Sequence, residues 1–188
     1  VDGFKPGRLM KKKGELVHGD VPYLDRSDMA CKEWRCSTLR DNNVREVRIA
    51  DYPDIYVLNQ HFNPNLSVFT EEKVKEKLVT LTTNTKDLIL VYEQNNEVIG
   101  YIHGSPYELL FSDSLVNVLG FVVKKEYRSQ GIGHILIECL EQWAKTAGYS
   151  GIKLLSHPSR VQAHNFYERR GYKFTKDQKN FIKTFGEN

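Results

Sequence analysis

Apolar positions switch between two spacings along this 188-residue chain. Steps of three and four put Ile132, Ile135, Leu136, Cys139, Leu140, Trp143, Ala144 and Ala147 on one side of a long helix. Glu138, Glu141, Gln142 and Lys145 take its other side, with Glu141 and Lys145 at i,i+4. Residues 44–49 alternate instead, so Val47 and Ile49 share a face of a first strand. Asp51 is placed to cap a helix running to Phe62, with Pro53 tolerated in its first turn. After the break at Asn63-Pro64-Asn65, Thr70 caps a second helix that opens on Glu71 and Glu72. Val74, Leu78 and Leu81 form its apolar stripe. Residues 88–92 and 98–103 read as strands joined by a hairpin turn at Gln94-Asn95-Asn96-Glu97.

A polar, aromatic loop is expected over residues 105–114, then a strand over 116–123 that leads into the long helix. Beyond that helix come a short strand at 152–155, a second helix around residue 165, and a last strand over 172–184. Residues 1–43 show no sustained periodicity. They read as an N-terminal extension, disordered or foreign to the native chain in part, ahead of a single domain at 44–188.

Composition narrows the class. Forty per cent hydrophobic and 11% aromatic residues suffice for a buried core and argue against global disorder. No segment approaches the ~18 apolar residues of a membrane span, and no signal-peptide pattern heads the chain. A net charge of +3 favours anionic ligands mildly without marking a nucleic-acid binder. Lys11-Lys12-Lys13 reads as a solvated tail, a nucleic-acid arm being the weaker reading. Cys139 falls on the buried face of the long helix. Cys31 and Cys36, even with His18, lack the spacing of a metal site, so free thiols in a reducing cytoplasm and no metal are expected.

Two segments carry chemistry. In Val122-Val123-Lys124-Lys125-Glu126-Tyr127-Arg128-Ser129-Gln130-Gly131-Ile132-Gly133, a strand ends in a basic, glycine-containing turn and a helix starts at once. The first amides of a helix have no intrahelical partner and sit at the positive end of its dipole. Two glycines and Arg128 beside them suit a phosphate or pyrophosphate. No Gly-Lys-Ser/Thr follows, so this is not a Walker loop, and the dinucleotide fingerprint lacks its first glycine. The spacing Arg-x-x-Gly-x-Gly resembles the acetyl-CoA pyrophosphate loop of the GNAT superfamily of N-acetyltransferases. Ala163-His164-Asn165-Phe166-Tyr167-Glu168-Arg169-Arg170-Gly171-Tyr172 is similar to that family's Ala-x-x-Phe-Tyr-x-x-x-Gly-Phe signature, with Tyr172 in place of Phe. Ala163, Phe166 and Tyr167 share a helix face, and Gly171 falls where a C-terminal cap wants a left-handed residue.

The resemblance implies an α/β fold: a mixed, mostly antiparallel sheet of six or seven strands, flanked by about four helices and splayed after the fourth strand to admit the cofactor. It implies acetyl transfer from acetyl-CoA to a small-molecule or peptide amine by direct attack in a ternary complex. The pyrophosphate would meet Arg128, Ser129, Gln130, Gly131, Ile132 and Gly133, with His134 the next amide. The pantetheine arm would lie along Phe121, Val122 and Val123 as an added strand, bonded by the backbone of Phe121 and Val123. Tyr167 matches the tyrosine that protonates the departing thiolate. Asn165 is a candidate cofactor ligand, although the family asparagine stands three positions before the alanine. Arg160 occupies that place and is expected to reach a phosphate instead.

The family's strand carboxylate, the usual base, is replaced by Asn117, which leaves Glu108, Asp113, His103 or a water chain. His157 and His164 read as structural. A rival class is a non-catalytic acetyl-CoA sensor or interaction module, motivated by that missing carboxylate. Homodimers are common in the family, and no pattern here establishes one.

Overall fold

The computed structural model describes residues 43–62 and 69–185. The expected extension lies outside them apart from Asn43, and so do Lys11–Lys13, His18, Cys31 and Cys36. In order, the elements are β1 (Val44–Glu46), α1 (Tyr52–Phe62), α2 (Glu71–Asn84), β2 (Leu88–Gln94), β3 (Glu97–Leu109), β4 (Ser112–Val123), α3 (Ile132–Thr146), β5 (Gly151–Leu154) and α4 (Val161–Arg169). The strands form one sheet in the order β1-β2-β3-β4-β5. The first three pairings are antiparallel and β4 pairs with β5 in parallel.

Helices cover both faces of this sheet, so its central strands are apolar on both sides. Under α1 and α2, the residues Ile55, Leu58, Val74, Leu78, Ile89, Val91, Val98 and Val122 make one buried cluster. On the opposite face α3 lays down Leu136, Ile137, Cys139 and Leu140, each fully buried. The expected stripe of α3 is present, and Ile137 joins it. Thr70 accepts a hydrogen bond from the Lys73 amide and caps α2 as expected. Between β2 and β3 the chain reverses through Asn95 and Asn96, both at positive φ (53° and 63°), the backbone of a tight two-residue hairpin.

Four expectations are corrected. The first strand stops at Glu46, because residues 49–51 wind into a 3-10 turn that exposes Ile49. Asp51 closes that turn: its carboxylate accepts from the Arg48 amide at 2.7 Å and pairs with Arg45, so it caps the turn rather than α1. The loop expected over 105–114 is a hairpin, with Pro106 opposite Val116 and only Leu110 and Phe111 at the tip. Pro106 is tolerated because β3 has outrun β2, whose pairing begins at Leu88 opposite Gly104. The final strand is absent among the described residues, which leaves five strands rather than six or seven. Beyond Tyr172 every described position is exposed, including Phe174, Phe181, Ile182 and Phe185, so no face of that segment is buried to hold a register.

Gly104 sets how closely α3 approaches the sheet. A Cβ there would lie 2.6 Å from Leu140 Cδ1 and 2.9 Å from Val116 Cγ1, both fully buried. Gly104→Ala is therefore expected to destabilise the fold by about 1–3 kcal/mol through overpacking. Urea unfolding should show a lower midpoint at unchanged slope.

Candidate functional site

The site gathers where β4 outlasts β5. Their pairing runs from Leu115 opposite Gly151 to Val118 opposite Leu154, and β4 continues to Val123. At the point of parting the register of β4 against β3 shifts: His103 faces Gly120, and the next residue, Gly104, faces Val118. Leu119 is thus the extra residue of a bulge, a device that bends a strand and ends its pairing. The outer edge of residues 119–123 has no strand partner among the described residues. This gap is the splay that the resemblance implied.

That edge leads directly to the basic turn. Lys124 donates the last ladder bond, to Ile99 O at 2.8 Å, and residues 125–127 form a single 3-10 turn. Ser129 (φ 62°) and Gly131 (φ 88°) then adopt left-handed backbone, which redirects the chain into α3. Nothing lies within 4 Å of a Cβ built on Gly131, so the requirement for glycine there is one of backbone conformation. Gly131 is the N-cap, and no side chain caps the helix. The amides of Ile132, Gly133 and His134 therefore begin α3 uncapped, at the positive end of its dipole. Arg128 is exposed, and its Nε donates to Val123 O at 3.0 Å. That carbonyl, expected to serve the pantetheine arm, is engaged by the loop's own guanidinium. Gln130 braces the turn through Nε2 on Glu126 O at 3.0 Å.

Aromatic rings link this edge to α4. Phe121 on β4 lies 6.0 Å from Phe166, Phe166 5.4 Å from Tyr167, and Tyr167 5.8 Å from Tyr172, measured between centroids. Tyr167 is half-buried, and its hydroxyl bonds no side chain among the described residues. Burial pushes its phenol above the ordinary range, opposed by the positive charge of Arg160. Arg160 itself is exposed at the N-cap of α4, and Asn165 is exposed on that helix.

α4 ends as its sequence predicts. Gly171 (φ 86°) sits in the left-handed region, with its amide bonded to Glu168 O and that of Tyr172 to Tyr167 O. This turn delivers Arg170 and Tyr172 to one carboxylate of α3. Arg170 Nη2 donates to Glu141 Oε2 at 2.9 Å and the Tyr172 hydroxyl to Glu141 Oε1 at 3.0 Å. Arg170 also bonds His134, which lies 3.3 Å from Glu138. Burial and then the Glu141 charge hold the Tyr172 phenol far above its usual range. The sequence reading placed Glu141 on the solvent side and missed this clasp. Its one signal is that positions 134, 138 and 141 align along α3.

The candidate bases separate clearly. Glu108 and Asp113 are exposed in the β3–β4 hairpin, with Glu108 accepting from Ser114. His157 and His164 brace the turn before α4, His164 Nε2 donating to His157 O at 3.1 Å. His103 pairs with Asp87 at 2.9 Å, both largely enclosed. Asn117 keeps its buried Oδ1 without a hydrogen-bond partner among the described residues.

A five-stranded sheet parted beyond β4, with a basic turn opening α3 at the gap, defines the acyl-CoA N-acyltransferase fold. The sequence model of the GNAT acetyltransferase family matches residues 52–172, more than half of the chain, and the chain belongs to that family. Solved structures agree on the fold. A transcriptional regulator from Bacillus halodurans C-125 superposes with a TM-score of 0.66 at 20% identity, over 74% of this chain and 97% of that one. Glucosamine-6-phosphate N-acetyltransferase from Arabidopsis thaliana gives 0.64 at 18% identity, over 74% and 96%. Aminoglycoside N-acetyltransferase AAC(6')-Iy in complex with CoA gives 0.64 at 14% identity, over 74% and 93%. No curated protein sequence matches the chain. Among the described residues no helix is long and apolar enough to cross a membrane, and no three His, Cys, Asp or Glu side chains are grouped to hold a metal.

Glu141→Ala should leave Arg170 and Tyr172 half-enclosed without their shared acceptor. We expect a loss of about 1–3 kcal/mol in chemical unfolding, with hydrogen exchange accelerating first in α4.

Proposed function

We infer that residues 44–188 form a cytoplasmic N-acetyltransferase domain that moves an acetyl group from acetyl-CoA to a primary amine by direct attack. One observation carries this reading. The unpaired edge of β4 runs straight into the uncapped amides of α3, a continuous track for an elongated molecule with an anionic end. Acetyl-CoA supplies the activated thioester. Arg128, Ser129, Gln130, Gly131, Ile132, Gly133 and His134 grip the diphosphate, and Arg160 offers a further cation. The Phe121 backbone and the Val123 amide bond the arm along the free edge, with Val122 between them paired to β3, and Asn165 lies on α4 nearby.

Such remote contacts position the carbonyl for reaction. Tyr167 protonates the departing thiolate. A phenol of ordinary pKa about 10 is a weaker acid than a thiol at about 8.5, so its contribution is one of placement. Cys139 is fully buried among the α3 residues and far from a nucleophile's requirements, which favours direct transfer over an acetylated cysteine. A second copy of the chain would cover the apolar side chains exposed at Phe174, Phe181, Ile182 and Phe185, and light scattering should then report a homodimer.

The decisive test is thiol release from acetyl-CoA against a panel of amino acids, polyamines, aminoglycosides and peptides. An amine-dependent rate that falls about 10²-fold or more in Tyr167→Phe is the expected result. Because Asn117 stands where relatives carry a carboxylate, a second reading is a non-catalytic acetyl-CoA sensor. Saturable CoA binding without acceleration by any amine would favour it.

A further inference from the structure

We propose that His103, oriented by Asp87, is the base that deprotonates the acceptor amine, and that the unpartnered Oδ1 of Asn117 receives an N–H of the same amine. This rests on the transferase reading above and places its missing proton acceptor on β3, one strand away from where relatives carry a carboxylate.

Strand geometry brings these groups together. Tyr101 packs beneath α1 and its hydroxyl donates to Asn59 Oδ1 at 2.7 Å, so it marks the α1 face of β3. Burial pushes that phenol up to about 12. Side chains alternate along a strand, so His103, Ser105 and Tyr107 follow on the same face. Gly104, between them, faces Leu140 of α3 on the other side. Asn117 lies opposite Ser105 in β4 and beside Lys153 in β5, and Lys153 Nζ sits 4.4 Å over the Tyr107 ring. Asn117 is therefore a diagonal neighbour of His103, a spacing of about 7–8 Å between backbones that one bound amine can bridge.

The bulge at Leu119 is what makes this possible. By inserting one residue, it turns Asn117 toward the α1 face, two residues before the gap in the sheet. His103 Nε2 bonds Asp87 Oδ2, and a carboxylate can only accept, so the ring proton lies on Nε2 and the lone pair on Nδ1. Nδ1 has no partner among the described residues. Among the described residues, the ionisable groups on this face include Asp87, Tyr101, Tyr107 and Lys153 of the sheet and Tyr52 and Tyr56 of α1 packed over it.

The ammonium gives one proton to His103 Nδ1, and the amine nitrogen bonds to the thioester carbonyl carbon. The C–S bond breaks, the thiolate takes the Tyr167 proton, and the second nitrogen proton restores the phenol. His103 passes its proton to solvent.

The test uses the amine that gives the fastest thiol release in the panel. In His103→Gln the amine-dependent rate should fall about 10²-fold or more. Its decline at low pH should disappear, while acetyl-CoA affinity stays at wild type. In His103→Gly, added imidazole should restore turnover, and Asn117→Ala should raise KM for the amine without changing KM for acetyl-CoA. Wild-type rate and pH profile in His103→Gln would overturn the proposal, as would a folded, CoA-binding His103→Gly that imidazole fails to rescue. Absence of amine-dependent release in the wild type would instead remove the transferase reading beneath it.

Discussion

Everything at the gap follows from the way β4 divides its neighbours. Against β3 it pairs along most of its length, and against β5 for four residues only. An unpaired strand edge buried in protein would leave amide and carbonyl groups unsatisfied, so it persists only where something else can bond to it. The bulge at Leu119 is the local device. It ends the β5 pairing, resets the alternation of β4, and separates a β5-paired half from a half that ends in the basic turn. The N-terminus of α3, uncapped by any side chain, follows that turn, and its dipole favours an anion there.

Glycines and periodicity made much of this readable from residues alone. Gly171 stands at the left-handed position that its place after α4 predicts, and the stripe of α3 is buried as its spacing requires. The β3–β4 hairpin was hidden because Pro106 and its polar neighbours carry the composition of a loop. Only the three-dimensional fact that β2 has already ended makes a proline acceptable there. The last strand failed for the opposite reason. Tyr172 and Phe174 alternate convincingly, but the polar run that follows has nothing to bury, and alternation without a partner surface does not fix a strand.

The contacts that could not be read are those between elements distant in sequence. His103 was one of several possible bases until its pairing with Asp87 set it apart from exposed Glu108 and Asp113. Glu141 looked like a solvent-facing residue until the cap of α4 brought Arg170 and Tyr172 onto it. Both pairings depend on how strands register and how a helix ends, and neither has a local pattern. The Glu141 clasp also has a positional result. It fixes the C-terminal end of α4 against α3 through Arg170 and Tyr172, and the ring of Tyr167, 5.8 Å from that of Tyr172, sits beside this clasp.

Arg128 illustrates how a loop of this kind can be made ready. Its Nε is already tied to the Val123 carbonyl, and a guanidinium is a rigid plane, so the two terminal nitrogens keep a defined direction. The freedom that bond removes is surrendered when the protein folds and need not be lost again in the anion contact proposed above. A lysine would have one nitrogen for both tasks and would have to leave the backbone to meet a ligand. The choice of arginine at this position is thus a matter of rigidity as much as of charge.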